Sequence, residues 1–153
     1  MTPKEIIRRW QLTPLEPEGG FFRRIWTAPE GRGSAIHYLL AGEAISAMHR
    51  LTVDELFHYY AGTSAVDLLI LHPDGAGEIR RLAAALSGEG EPTVWVPAGC
   101  WQGAVLTDSR GFAFLGTTCW PAYAEAAYEH GQTDALIAAW PEQAAEIRRR
   151  TKA

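Results

Sequence analysis

The feature that most constrains the fold is a series of short β-rich runs, each ended by residues that favour turns. Gly, Pro and Asp separate the runs, for example at residues 40–43, 72–75 and 108–111. The runs cover residues 35–40, 46–50, 55–60, 65–71, 78–82, 93–96, 102–106 and 112–118. Many short strands between turns are typical of a sandwich, jelly roll or barrel and not of a βαβ fold. The sequence therefore predicts an all-β domain.

Helical spacing is confined to the two ends of the chain. Ile6, Ile7 and Trp10 repeat at helical intervals, and Thr2 is a plausible N-cap, which predicts a helix over residues 3–12. After Pro121 the pattern changes to alanine-rich helical spacing, and short helices are predicted within about 133–151. The β-barrel is expected at about 20–120, and no linker or repeat divides the 153 residues into more than one domain.

Composition excludes several classes of protein. The chain has 14 Lys and Arg against 18 Asp and Glu, a formal charge of -4, so it lacks the basic balance of a general nucleic-acid binder. The N-terminal residues contain neither an apolar signal core nor a run long enough to cross a membrane. Cys100 and Cys119 are far apart and outside any C-x-x-C pattern, which fits buried thiols in a reducing compartment. We expect a cytoplasmic protein with neither nucleic-acid nor membrane partners.

His49 and Glu55 form the first candidate site. Side chains alternate between the faces of a strand, so Glu55, Phe57 and Tyr59 point one way and His58 the other. A turn over residues 52–55 has a geometry that can return the His49 ring toward Glu55. A histidine and carboxylate pair can bind a metal or transfer a proton near neutral pH.

A second candidate site follows the turn Pro97-Ala98-Gly99. The turn begins a strand through Trp101 and Gln102. Because neighbouring side chains on a strand point to opposite faces, one of these two residues is predicted to lie inside the barrel.

These segments together resemble the small cupin family known as DUF985 or Cupin 5. The matching segments are PEGGFFRR (17–24), SAIHYLL (34–40), HRLTVDELFHYYAG (49–62), VPAGCWQGA (96–104) and a tail helix after residues 140–141. The resemblance implies a double-stranded β-helix, the RmlC-like cupin jelly roll, with a pocket for a small-molecule ligand. It also implies a homodimer, formed through an outer sheet face or by strand exchange, and it leaves the reaction open.

The chain departs from the general cupin pattern at the metal ligands. Arg50 stands where that pattern has its second histidine, and Gln102 replaces the last one. What remains is His49, Glu55 and Gln102 as the candidate ligands of a possible divalent metal such as Zn, Fe, Ni or Mn. The family often has a histidine at the position of Glu16, so the rim of the pocket is expected to differ.

Two classes of function fit this pattern. The first is an isomerase- or epimerase-like enzyme acting on a carbohydrate-type or anionic metabolite, with His49 as base and Glu55 or Tyr59 as acid or orienting group. Arg24, or its neighbour Arg23, would engage an anionic substrate. Further substrate contacts are expected from Trp101, Gln102 and His58. The second class is a non-catalytic ligand-binding or sensing protein, and a metal-dependent oxygenase is a weaker third possibility.

Overall fold

The computed structural model describes residues 1–152, and its strands form two antiparallel sheets. The strands are β1 Thr13–Pro14, β2 Phe21–Thr27, β3 Ser34–Ala41, β4 Ile45–Leu51, β5 Asp54–Gly62, β6 Val66–Leu71, β7 Gly77–Leu82, β8 Thr93–Val96, β9 Trp101–Leu106, β10 Phe112–Trp120 and β11 Tyr128–His130. The helices are α1 Pro3–Trp10, α2 Thr133–Ala139 and α3 Ala144–Arg149. Single 3-10 turns cover Pro29–Gly31, Glu125–Ala127 and Pro141–Gln143.

The predicted all-β fold is confirmed. The first sheet has the strand order β1-β2-β3-β10-β5-β8 and the second has the order β11-β4-β9-β6-β7. Each β-rich run predicted from the sequence coincides with one of the strands β3 to β10, and only the run over 65–71 extends beyond its strand, by one residue. The two antiparallel sheets are those of a jelly roll.

The core lies between the two sheets, and the side-chain alternation of each strand builds it. On β6, Leu68 and Ile70 are buried in the core between the sheets. Their neighbours Leu69 and Leu71 are equally buried, because they pack on the other face against α2 and α3. Burial of both faces explains why residues 68–71 of this strand are a continuous apolar run without alternation.

The first helix covers part of the outer face of the first sheet. Thr2 caps it in a capping box with Glu5, and Ile6 packs with Leu39 of β3. The helix ends at Trp10, two residues before the predicted end, because Gln11 adopts the left-handed conformation of a C-cap. No helix among residues 1–152 is long and apolar enough to cross a membrane.

The helices expected within 133–151 are α2 and α3, and a strand not expected from the sequence precedes them. Residues 128–130 form β11, which pairs with the outer edge of β4. The edge of β4 presents backbone N–H and C=O groups that need partners, and β11 supplies them.

A β-bulge interrupts the pairing of β4 with β9. The register shifts between Ser46 and His49, which leaves the backbone groups of Ala47 and Met48 without partners on β9. The Ala47 N–H donates to the carbonyl oxygen of Glu18 at 2.8 Å, and the Met48 N–H donates to the carbonyl oxygen of Arg150 at 2.9 Å. The bulge therefore connects β4 to the loop before β2 and to the C-terminal segment.

The loop before β2 depends on two glycines with positive φ. Gly19 has φ 109° and Gly20 has φ 75°. The Tyr38 hydroxyl donates to the Gly19 carbonyl oxygen at 2.8 Å. A Cβ atom on Gly20 would lie 2.8 Å from both that hydroxyl and the Leu39 carbonyl oxygen. Only glycine allows this close approach.

We expect Gly20→Ala to lower the free energy of unfolding by at least about 2 kcal/mol, because it adds a steric clash to the cost of a positive φ. Gly42 is the matched control, since its φ is 63° and a Cβ there meets nothing within 4 Å. Gly42→Ala should therefore cost only about 1 kcal/mol. Urea denaturation of both variants measures the difference, and equal losses would show that the loop moves freely away from Tyr38.

Candidate functional site

A cavity of about 390 Å³ lies between the two sheets, a size that suits a small metabolite. The first sheet contributes side chains from β2, β3, β5 and β10 to its wall. β4 and β11 of the second sheet form the opposite wall, and residues 14–18 form one rim. Polar and charged side chains of the wall include Glu18, Arg24, His49, Glu55 and Thr117.

His49 is held in one orientation on β4. The Nδ1 atom lies 2.8 Å from the Ala47 carbonyl oxygen, and only an N–H can donate to that oxygen. In the neutral ring the lone pair is therefore on Nε2. The Tyr128 ring stacks on the imidazole at a centroid distance of 5.4 Å, and the side chain is almost fully buried. The bulge turns the Ala47 carbonyl toward the ring and so sets this orientation.

Glu18 is brought beside His49 by the same bulge. Its backbone accepts from Ala47, and its Oε1 atom accepts from the Ser46 hydroxyl at 2.7 Å. The other carboxylate oxygen, Oε2, lies 3.9 Å from His49 Nε2. The carboxylate is thus anchored at one oxygen and directs the other toward the imidazole.

Glu55 is the buried carboxyl of the site. It lies on β5, in the sheet opposite to His49, and only 7% of its surface is exposed. The Gln102 Nε2 atom donates to Glu55 Oε2 at 2.8 Å. Burial raises the pKa of Glu55, and the neighbouring His49 partly opposes this increase. A carboxyl with a raised pKa can hold a proton at a higher pH than an exposed glutamate.

Gln102 completes this group from β9, where it pairs directly with His49 across the sheet. Its side chain is fully buried. The Oε1 atom of Gln102 has no hydrogen-bond partner among residues 1–152. A buried unpaired amide oxygen is costly, and it remains available to a donor.

Two tyrosines of the wall stay as neutral hydrogen-bond donors. Burial raises the pKa of Tyr38 well above that of a free phenol, and the nearby Glu18 raises it further. Burial likewise raises the pKa of Tyr128, again with a contribution from Glu18.

Arg24 is exposed at the mouth of the cavity. Its guanidinium donates to the Thr27 hydroxyl at 3.2 Å and to the Tyr123 carbonyl oxygen at 3.4 Å. It also lies over the Tyr123 ring, 5.8 Å from the centroid.

Three residues predicted for the site lie elsewhere. Tyr59 shares a strand face with Glu55, but it lies farther along β5 and donates to the Ser64 carbonyl oxygen at 2.8 Å. His58 is on the outer face, where Nε2 lies 3.1 Å from the Thr118 hydroxyl. Trp101 packs under α2 and α3, with the Arg50 guanidinium over its ring. The structure therefore brings together His49, Glu55 and Gln102, with Arg24 at the mouth, and leaves these three outside.

The donor set does not match that of a resident divalent metal. Within residues 1–152, no group of three or more His, Cys, Asp or Glu side chains is placed to hold a metal ion. Glu55 accepts from Gln102, and a neutral amide is a weak third ligand.

Glu18, Tyr38 and Tyr128 were not identified from the sequence. Glu18 belongs to the PEGG segment, whose two glycines signal a tight loop, and that loop places the carboxylate in the site. Tyr38 lies in an alternating strand and had a one-in-two chance of facing inward. Tyr128 carries no comparable signal, since its position depends on the pairing of β11 with β4.

Comparison with known proteins gives one family. The family model described as Cupin superfamily (DUF985) matches residues 4–131. No curated protein matches the chain significantly.

Solved structures share the fold across the whole chain. A crystal structure of a protein from Shewanella oneidensis has 25% sequence identity and a TM-score of 0.90, with 99% of this chain and 98% of that chain covered. A hypothetical protein from Leishmania major has 21% identity and a TM-score of 0.89, with both chains covered completely. A Bacillus subtilis oxalate decarboxylase mutant has 14% identity and a TM-score of 0.60, with 94% of this chain and 39% of that chain covered.

We expect Glu55→Gln to change how stability depends on pH. Because the pKa of Glu55 is raised in the folded state, its folded form binds the proton more tightly than its unfolded form. The wild type therefore loses stability as the pH rises from about 4.5 through the folded pKa, with a slope of at most about 1.4 kcal/mol per pH unit. The glutamine variant lacks this loss, so its stability relative to wild type increases with pH.

Urea denaturation between pH 4.5 and 8 measures this effect. Glu43→Gln, which removes an exposed carboxylate outside the cavity, should reproduce the wild-type curve. Parallel curves for wild type and Glu55→Gln would contradict the raised pKa.

Proposed function

This chain belongs to the DUF985 family of the cupin superfamily, and we propose that it binds a small polar molecule between its sheets and transfers a proton to or from that molecule. The function is of the isomerase or epimerase type. The observation that carries the proposal is the placement of His49 and Glu55 on opposite walls of one cavity. The two residues project from opposite sheets, and burial raises the pKa of Glu55.

The imidazole supplies the base. Its Nδ1 proton is committed to the Ala47 carbonyl, so the Nε2 lone pair can accept a proton from a bound molecule. Tyr128 stacks on the ring and limits its rotation. Glu18, 3.9 Å from Nε2, stabilises the imidazolium that forms.

The buried carboxyl supplies the acid. Burial raises the pKa of Glu55, so its protonated form persists to a higher pH and can donate to a ligand oxygen. In the isomerisation of an α-hydroxy ketone or aldehyde, Nε2 removes the proton from the carbon that bears the hydroxyl group while Glu55 protonates the carbonyl oxygen, which gives an enediol. The imidazolium then protonates the former carbonyl carbon, and Glu55 takes a proton from the other hydroxyl group, so both protein groups return to their starting states. Gln102 orients Glu55 through its amide hydrogen bond.

A binding protein without turnover is the second candidate. His49, Glu18 and Thr117 of the cavity wall also suit simple recognition of hydroxyl groups. The two candidates differ only in whether bound molecules exchange carbon-bound hydrogen.

Hydrogen exchange in D2O distinguishes the candidates. We expect the wild type to catalyse loss of the α-carbon proton signal from at least one member of a panel of aldoses, ketoses and hydroxy ketones, followed by proton NMR. His49→Gln removes the base and should lower this rate by about 100-fold or more.

His72→Gln is the matched control for that experiment. His72 is partly exposed and pairs with Glu78 outside the cavity, so its variant should exchange hydrogen at the wild-type rate. Binding without exchange in the wild type would favour the recognition function. Exchange that survives in His49→Gln would overturn the assignment of the base.

We also propose that the protein forms a homodimer through the outer face of the first sheet. Cross-strand pairing aligns Trp26, Ala35, Thr118, Leu56 and Trp95 in one row across four neighbouring pairs of strands. Trp26 is 51% exposed and Trp95 is 54% exposed. Large aromatic side chains aligned on an open sheet face support association with a second copy.

Charge placed on this face should dissociate the dimer. We expect Trp95→Glu to shift the wild-type dimer to a monomer in sedimentation-velocity experiments, because burial of a carboxylate in an apolar interface is unfavourable. Ile79→Glu is the control, since Ile79 has similar exposure on β7 of the other sheet. A monomeric wild type, or a dimer that survives in Trp95→Glu, would contradict this interface.

A further inference from the structure

We propose that the natural ligand carries a primary or secondary ammonium group, which binds between Glu18 and His49. The proposal rests on the recognition function above, in which the His49 Nε2 lone pair accepts a hydrogen bond from the ligand and does not act as a base, and it specifies the chemical class of the ligand. The charges of the wall, the distance between two facing acceptors, and the aromatic side chains around them favour this class.

Acidic side chains outnumber basic ones on the cavity wall. The acidic side chains are Glu16, Glu18, Glu55 and Glu125, and the basic side chains are Arg24 and His49. Lys152 binds Glu16 at 3.0 Å, and Glu125 is exposed. Glu18 is different, because its side chain is only 15% exposed and, among residues 1–152, it faces the His49 ring and no Lys or Arg. A partly buried carboxylate without a permanently charged cationic partner favours a positive charge in the ligand.

The atoms of Glu18 and His49 that face each other are both acceptors. Nε2 of the neutral imidazole carries a lone pair, and the carboxylate oxygen Oε2 has no proton to give. Their separation of 3.9 Å is too long for a direct hydrogen bond. A single nitrogen with two N–H groups, placed beside this gap, can donate to both. A hydroxyl group has one proton to donate, and a carboxylate has none.

The apolar part of the wall suits a cation as well. Aromatic side chains around the cavity are Phe22, Tyr38, Phe57, Tyr123 and Tyr128. Aromatic faces attract ammonium groups, and the attraction is stronger where water is excluded. Tyr128 is the ring in contact with His49, so it lies next to the proposed ammonium position.

Arg24 does not oppose this assignment. The expectation of an anionic ligand depends on this residue, and in the structure its guanidinium is exposed at the mouth. Its hydrogen bonds go to Thr27 and Tyr123, and its face lies over the Tyr123 ring. The position between Glu18 and His49 is on the wall formed by β4 and the rim loop.

Three probes of one shape and different charge test the proposal. Benzylammonium, benzyl alcohol and benzoate share a ring and differ in the polar group. We expect calorimetric titration at pH 7 to show benzylammonium binding about tenfold more tightly than benzyl alcohol, and benzoate binding most weakly. This comparison uses the wild-type protein and depends on no variant.

Glu18→Gln tests whether the preference for the ammonium probe comes from the Glu18 carboxylate. It should bind benzylammonium and benzyl alcohol with nearly equal affinity, because the attraction to the carboxylate is lost while the aromatic wall remains. Glu43→Gln removes the same charge from an exposed turn outside the cavity and should keep the wild-type preference. Circular dichroism of both variants verifies folding.

The remaining outcomes overturn the ammonium assignment. Equal affinities for all three probes, tighter binding of benzoate, or no binding of benzylammonium at millimolar concentration would each do so. A preference that persists in Glu18→Gln would also overturn it. The proposed proton transfer is tested separately, because hydrogen exchange from the carbon-acid panel requires no ammonium group and depends on His49.

Discussion

The β-bulge at Ala47 and Met48 is the constraint on which the rest of the site depends. In a regular β4 the pairing with β9 would continue through Ala47 and Met48 without interruption. The bulge interrupts it, and the Ala47 N–H binds the Glu18 carbonyl while the Met48 N–H binds the Arg150 carbonyl. It also turns the Ala47 carbonyl toward His49 Nδ1. One irregularity in a strand thus sets the tautomer of the imidazole and the position of the neighbouring carboxylate.

The site concentrates polar groups that are unfavourable in a protein interior. Burial raises the pKa of Glu55, and the amide oxygen of Gln102 has no partner among the described residues. Each of these features lowers stability relative to an apolar replacement of the same shape. The apolar strands around the site offset the cost, above all β6, which is buried on both faces. The fold therefore contains a stable frame and a polar cavity whose groups are available to a ligand.

The strands were predictable from the sequence, because alternation and turn residues act locally. Alternation also placed Glu55 and Tyr59 on the same face of β5, as the structure has them. Alternation does not show how far along β5 the cavity extends, so it could not show that Tyr59 lies outside the cavity. His49 and Glu55 line the same cavity because the chain crosses from one sheet to the other between β4 and β5. The contact of Tyr128 with His49 depends on long-range pairing that no local pattern encodes.

The buried arginine near the C-terminus determines which part of the chain the fold requires. Arg150 is fully buried, and its guanidinium donates to the carbonyl oxygens of Gly103 and Asp67, which belong to β9 and β6. Its own carbonyl completes the bulge beside His49. The family model ends at residue 131, so its boundary omits a side chain that joins two central strands. Truncation after residue 131 would leave the Met48 N–H without its partner next to the imidazole. A force applied to the C-terminus would be transmitted to the strand that carries His49. The last turn of the chain is therefore bound to the strand that carries His49, although the matched family model does not include it.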